Sequence, residues 1–548
     1  MKAIKRYYKS FERLFGSMKF AVTIITIFAI ALIYGTFMES YHGAEFANRL
    51  VYKSGFFMFI QLLMFISIVV ATYVRLPAKK GLYGFYTIHI GLITLFIGSF
   101  VTYISGIDGS LELMPNTPSR KIMVDEDYLK VSLLNDQKSV RFDLPFNAFP
   151  TKMDVNYENK VKLVEYLPSA KLETYWKKTT VPKGALDHGS SYMIFNDNVS
   201  QDFTLSINPS SDFKSTQTLG LLNIHYMPSN LYECFIKKTK TGYLIWNTAK
   251  NICFTPEEKG IKVSKTDKGS SFLSFENEGE TLKFFPDFSP LPVNDDLSKK
   301  MDSPFRIFSR NLFEKKPHLF LFGKKIAFYK KRSRSWSGVS FESKELIKLP
   351  WMQFKLRLLE HKDRMTPFQR PVFVRPIQDK GKIIEGDIKA VKIELYGKEY
   401  WVRSDAPLAL ANGTQEVRFQ FVKKEFPLPY QITLKRFKMD TNPGTNDPAS
   451  YESFVDLLDG RNQKPATEHH VFMNNPLKYD DLTFYQASYF PVGPQTFASV
   501  FSVNFDPGRP VKYAGSILLV FGSIWHFYIR RKKKKKKIKT NTTEVANA

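Results

Sequence analysis

At 548 residues the chain is long enough for several domains, and its 43% hydrophobic content would, as an average, describe an ordinary soluble protein. The average misleads, because the apolar residues are gathered into four segments and much of the formal charge of +27 sits beside them. Charge placed that way gives no groove or arm for nucleic acid, so no nucleic-acid partner is expected.

Taken in chain order, residues 1–106 hold a basic N-terminus followed by three apolar segments, Met18–Glu39, Gly55–Arg75 and Leu82–Gly106. Each is nearly free of charge and about 20 residues long, enough at ~1.5 Å per residue to cross a ~30 Å hydrocarbon core. The first is longer than the ~7–15 apolar residues of a signal peptide, and "IYGTFMESYHG" offers no small-residue cleavage site, so it reads as a retained span. In the third, Gly84, Gly91, Gly98 and Ser105 recur every seven residues and form a small-residue face suited to close helix packing. His89 lies in the same segment, about 160° around the helix from Gly91 and about 10 Å along it from Leu82. An ionisable side chain in hydrocarbon is costly and marks a functional site by default; the plainer reading is a neutral imidazole hydrogen-bonded to a neighbouring helix.

Residues 107–510 are too many for a loop and enough for a core of their own. Short alternating runs such as "YLKVSLL", "FTLSI", "AVKIELYG", "EVRFQFV" and "YQITLKRF", separated by Pro, Asn, Gly and Asp, predict half-buried strands, with one or two antiparallel sandwiches as the expected architecture. The stretch "FFPDFSPLPVNDDLSKKMDSP" predicts a division into halves. The two cysteines, Cys234 and Cys253, flank a predicted hairpin and fit either a disulfide or a pair of buried thiols. No C-x-x-C-H, phosphate-binding loop, dinucleotide fingerprint or H-E-x-x-H occurs, so neither covalent haem on this chain nor a catalytic centre is expected. His469 and His470 are adjacent on a predicted strand and point to opposite faces, which disfavours a metal site there.

Residues 511–529 form the fourth predicted span, and 530–548 a basic tail containing "RRKKKKKKIK". If the spans alternate, the N-terminus, the loop at 75–80 and the tail share one face that carries +16. The positive-inside rule makes that face cytoplasmic and 107–510 extracytoplasmic. The expectation is therefore an integral membrane protein of the cytoplasmic membrane, in contact with the lipid bilayer. Four transmembrane helices carry a large β-rich extracytoplasmic domain inserted between spans 3 and 4. His526, about 40° from Gly522, could pair with His89 on one haem, as in b-type cytochromes. With Trp525 and Tyr528 it fits an interfacial belt equally well.

Four stretches, in order, resemble the ResB (CcsB) proteins of system II cytochrome c biogenesis. They are "FGSMKFAVTIITIFAIALIYGTFMESYHGAEFANRLVYKSGFFMF", "IHIGLITLFIG", "VFMNNPLKYDDLTFYQASYF" and "NFDPGRPVKYAGSILLVFG". Ile88 stands where the family has threonine, and roughly Leu134 to Leu410 matches no family motif. The resemblance implies a non-catalytic subunit that passes haem b across the membrane, held transiently by His89 as an axial ligand. It also implies a multi-span partner of the ResC/CcsA kind, on which haem is joined to apocytochrome c. The alternatives are an electron-transfer b-type cytochrome using His89 and His526, and a membrane-anchored scaffold.

Overall fold

The computed structural model describes residues 2–133, 138–157, 161–178, 188–237, 239–250, 252–267, 269–277, 279–286, 289–293, 303–342, 345–412, 415–444, 448–461, 465–494 and 496–546. Its α-helices, in chain order, are α1 (Lys2–Phe15), α2 (Met18–His42), α3 (Ala44–Ala47), α4 (Gly55–Tyr73), α5 (Tyr83–Ser105), α6 (Tyr232–Ile236), α7 (Arg310–Glu314) and α8 (Arg509–Ala546). The chain divides into two compact units, 1–171 with 371–548, and 172–370. The division predicted within Phe284–Pro304 is thus not where the units part; those residues fall inside the second unit, and 294–302 lie outside the described residues.

In the first unit, α2, α4 and α5 are long and apolar enough to cross a membrane. Their apolar side chains face outward: Val22, Ile25, Ile30, Ile33 and Phe37 of α2 are each more than half exposed. A surface of that kind is stable in hydrocarbon and costly in water. Local chemistry sets the helix starts. The Ser17 and Ser54 hydroxyls accept from the backbone N–H groups of Phe20 and Phe57, capping α2 and α4. The basic N-terminus forms α1, whose last turn meets α4 where the Ser67 hydroxyl donates to the Phe15 carbonyl at 2.9 Å.

Beyond the helices stands a ten-stranded antiparallel sheet. Its main path runs Thr467–Val471, Pro448–Leu458, Gln415–Thr441, Pro118–Leu133, Ile107–Leu113, Thr496–Phe505, Leu482–Gly493, Leu477–Tyr479. The two ends of this path are joined by a tight turn bridged between Phe472 and Asn475. The sheet therefore curls around one core that includes Leu111, Ile122, Ile432, Val455, Phe484 and Phe501. It is a single curled sheet, and the expected sheet-on-sheet packing occurs where a second sheet covers part of it. A second sheet built on Val161–Lys178 and Ile388–Leu395 packs Val161, Leu163, Val391 and Ile393 against Leu129, Val131 and Phe419 of the first.

The second unit contains a sandwich. The sheet carrying His188–Phe195 and Lys355–Asp363 faces a five-stranded sheet, and their shared core includes Tyr192, Ile194, Ile224, Leu319, Leu321 and Phe328. One pair in the five-stranded sheet, Leu222–Tyr226 with His318–Phe322, is parallel. Cys234 and Cys253 are disulfide-bonded. Cys234 sits on α6 and Cys253 on the strand Ile252–Phe254, which pairs with Tyr243–Asn247. The bond thus ties a helix to a hairpin instead of closing the hairpin itself.

Candidate functional site

The site is organised by the packing of α5 on α8. Both helices carry a glycine every seven residues: Gly84, Gly91 and Gly98 on α5; Gly508 just before α8 and Gly515 and Gly522 within it. The helices run antiparallel in one register. A Cβ on Gly84 would lie 2.6 Å from the His526 Cα, and one on Gly91 2.7 Å from the Leu519 nitrogen. In the other direction, a Cβ on Gly515 would lie 2.7 Å from the Leu95 nitrogen, and one on Gly522 2.7 Å from the Ile88 nitrogen. Only hydrogen fits at these six positions, because the opposing atoms are largely backbone. The second heptad series, Gly508, Gly515 and Gly522, is as visible in the sequence as the first.

The Asp506-Pro507-Gly508 stretch fastens the β-domain end of this pair. The Asp506 carboxylate accepts from the Thr102 hydroxyl of α5 at 2.5 Å and from the Lys512 ammonium of α8 at 2.7 Å. Burial alone would raise the Asp506 pKa, but Lys512 and Thr102, with Arg509, hold it below the ordinary carboxylate range. A Cβ on Gly508 would collide with the Gly98 carbonyl oxygen.

His89 lies on the other side of α5, about 140° around from Gly84. It is half-buried. Its neighbour is Phe85, one turn earlier: the ring centroids are 3.8 Å apart, and the Phe85 carbonyl is 3.0 Å from His89 Nδ1. A carbonyl can only accept, so the proton is on Nδ1 and Nε2 keeps a bare lone pair. This is the arrangement of metal-ligating histidines, whose second nitrogen donates to a carbonyl or carboxylate. The residues present therefore fit an axial haem ligand.

His526 is not brought to the same place. Its backbone abuts Gly84, so it stands on the packed face of α5, and by the helix register His89 is level with Phe521. Five residues separate Phe521 from His526, about 7.5 Å along α8. The two imidazoles are displaced in depth and in direction, and no contact between them occurs among the described residues. His469 and His470 point apart, as alternation requires: His469 Nε2 is 3.0 Å from the Thr467 hydroxyl, and His470 Nε2 is 2.9 Å from Glu452.

A buried ionic cluster, unforeseen in the sequence, ties the segment between α2 and α4 to the β domain. Arg49, 8% exposed, donates to Glu45 at 2.7 Å, to the Tyr166 hydroxyl at 3.3 Å and to Asp127 at 3.4 Å. Lys389 donates to the same two carboxylates, at 2.7 Å to Glu45 and 2.5 Å to Asp127. Burial would raise the Glu45 pKa, but Lys389 and Arg49 hold it below its usual value. Burial pushes the Tyr166 phenol up to about 12.

The stretch "VFMNNPLKYDDLTFYQASYF" forms the closing edge of the curled sheet. Asn474, Asp480 and Asp481 take the left-handed backbone of tight turns, with φ of 64°, 52° and 61°. Gln486 completes a buried polar group: its Oε1 accepts from the Ser453 hydroxyl at 2.6 Å and its Nε2 donates to the Ser499 hydroxyl at 3.0 Å. These contacts are structural.

Three helices long and apolar enough to cross a membrane, joined to a large β-rich domain, define the class: a membrane protein with a soluble domain. Residues 399–495, which include this closing edge, match the model of the ResB-like family. The chain also resembles Protein NrfI of Wolinella succinogenes, with 34% identity over 143 residues, covering 24% of this chain and 15% of that protein. The likeness to the ResB-like family thus lies in residues 399–495, and the chain spans about 15% of the length of the relative that it matches.

Proposed function

We propose that this chain is a haem-handling membrane subunit in cytochrome c biogenesis, and that haem is its cargo. The observation that carries the reading is the tautomer of His89. Nδ1 is committed to the Phe85 carbonyl, leaving Nε2 as an iron ligand within a helix that is otherwise almost wholly apolar. Bound haem would supply an iron centre to that nitrogen, while Phe85 fixes the imidazole plane and the surrounding apolar side chains keep water away.

In this reading α8 is a fourth span. It lies antiparallel along α5 through the two glycine series, and Tyr513, Ile517, Val520, Ile524 and Phe527 present a largely exposed apolar face. The basic segments lie on the cytoplasmic side and the β domain outside. His89 then stands in the cytoplasmic half, where haem made in the cell arrives. The second axial ligand comes from a multi-span partner of the ResC/CcsA kind, which also joins haem to the thiols of apocytochrome c. A permanently held haem between His89 and His526 draws no support from the geometry, since the two stand on different sides of α5.

Replacing His89 with alanine tests this. The variant should insert and accumulate normally, the purified complex should lose Soret absorbance, and c-type cytochromes should disappear while b-type cytochromes stay. Normal c-type cytochrome levels in His89→Ala cells would overturn the reading.

A further inference from the structure

The same chemistry recurs at the opposite end of the helical bundle. His42 is the last residue of α2, at its β-domain end, and its Nδ1 lies 2.6 Å from the Pro376 carbonyl. As with His89, the carbonyl must accept, so Nδ1 carries the proton and Nε2 keeps its lone pair. The ring is half-buried. Gln378 donates through Nε2 to the carbonyls of Glu39 and Ser40, at 3.5 and 3.4 Å. Gly43, which follows His42, takes φ +84°, a backbone conformation that favours glycine.

An aromatic wall adjoins it. The Phe46 ring is 5.2 Å from His42 and 6.4 Å from Phe149, which in turn is 6.1 Å from Phe373. Phe46 is buried at 4%, whereas Phe149 is 44% exposed, so the wall ends at an open apolar ring. An axial imidazole beside flat apolar side chains is what the apolar body of an iron porphyrin requires.

We propose that His42 is a second haem-ligating station, at the β-domain end of the bundle, which receives the cargo after His89. The inference rests on the haem-handling reading above. His89 is sixteen residues from the β-domain end of α5, about 24 Å at helical rise. The two histidines therefore hold separate haems in turn and do not clasp one between them.

The test is a titration of the purified full-length chain in detergent with ferric haem, monitored by Soret absorbance and by the high-spin ferric electron paramagnetic resonance signal expected of a haem held by one imidazole. Wild type should take up two equivalents, His42→Ala and His89→Ala one each, and the double variant none. Free imidazole should restore the missing equivalent in either alanine variant. His42→Gln keeps an amide donor for the Pro376 carbonyl but no iron ligand, and should also bind one equivalent, so that a folding defect in His42→Ala does not decide the matter. Two equivalents in His42→Gln would overturn the outer station while leaving the His89 reading intact. Uptake that is unchanged by His89→Ala would overturn the underlying reading instead.

Discussion

Gly91→Leu separates two opposing effects whose signs can be worked out. In a helix, leucine is intrinsically better than glycine by roughly 0.8 kcal/mol, so if packing on α8 were unimportant the change would stabilise. The structure argues the reverse. A Cβ at position 91 would meet the Leu519 nitrogen at 2.7 Å, the Gly515 carbonyl oxygen at 2.8 Å and the Leu518 carbonyl carbon at 3.2 Å. These are backbone atoms of a regular helix and cannot swing aside, so the helices must part, at an overpacking cost near the upper end of the ~1–3 kcal/mol range. The net expectation is a loss of about 2 kcal/mol. Unfolding by sodium dodecyl sulfate from mild detergent, tracked by far-ultraviolet circular dichroism, measures it. Ile90→Leu, at a position 50% exposed, is the control and should shift stability by less than about 0.5 kcal/mol. A Gly91→Leu protein as resistant as wild type would refute the register of α5 on α8.

Alkaline phosphatase fused near Gly260 should be active and the same enzyme fused after Lys537 inactive; reversal would invert the proposed orientation. Thiol labelling of the denatured, unreduced protein should find no free thiol, and Cys234→Ser should lower the stability of the second unit by about 3 kcal/mol, the value for a loop of this length. Arg49→Ala strips a buried cation from Asp127, 8% exposed, and Glu45, 49% exposed, while Lys389 still pairs with both, and should cost about 1–3 kcal/mol, read as loss of protease resistance in the β domain. Because Glu45 is held below its ordinary pKa, its share of that stability is complete above the usual carboxylate range and is lost as pH falls through the lowered value. A thermal unfolding series from pH 6 downward should show that acid loss in wild type and a weaker one in Glu45→Gln. His526→Ala should leave c-type cytochromes near wild-type levels, and a loss equal to that of His89→Ala would favour a pair within one chain.

The features legible in the sequence are those set by short-range chemistry. The run "YLKVSLL" as far as Leu133, residue 134 lying outside the described residues, and the runs "FTLSI", "AVKIELYG", "EVRFQFV" and "YQITLKRF" lie in strands or run to their ends, because period-two alternation is dictated by one buried face. The proline pair Pro427 and Pro429 suggests a break between the last two runs, yet both belong to one strand, Gln415–Thr441. The neighbouring strand shifts register between Ser119 and Lys121, opposite this stretch, and that irregularity lets the prolines sit inside a sheet. The division into units is illegible for a different reason. The chain crosses the boundary inside strands, Val161–Lys178 on leaving and Met365–Phe373 on returning, with no linker or change of composition to mark it.

The site divides along the same line. His89 announces itself because an imidazole in an apolar helix conflicts with its surroundings, a local fact. The tautomer on which its proposed role rests is also local, since the Phe85 carbonyl is one helical turn away. The Arg49 cluster joins residues 45, 49, 127, 166 and 389, and His42 acquires its tautomer from Pro376, 334 residues along the chain. Neither has any local signature, since an arginine or a histidine beside a membrane span is ordinary until a distant carbonyl or carboxylate fixes it. The family motif is misleading in the opposite sense: its Gln486, Asp480 and Asp481 are the easiest residues to recognise, yet they close a sheet. Recognition is strongest where the fold constrains sequence over a short stretch, and the proposed chemistry rests on two histidines whose importance comes from the carbonyl each one faces.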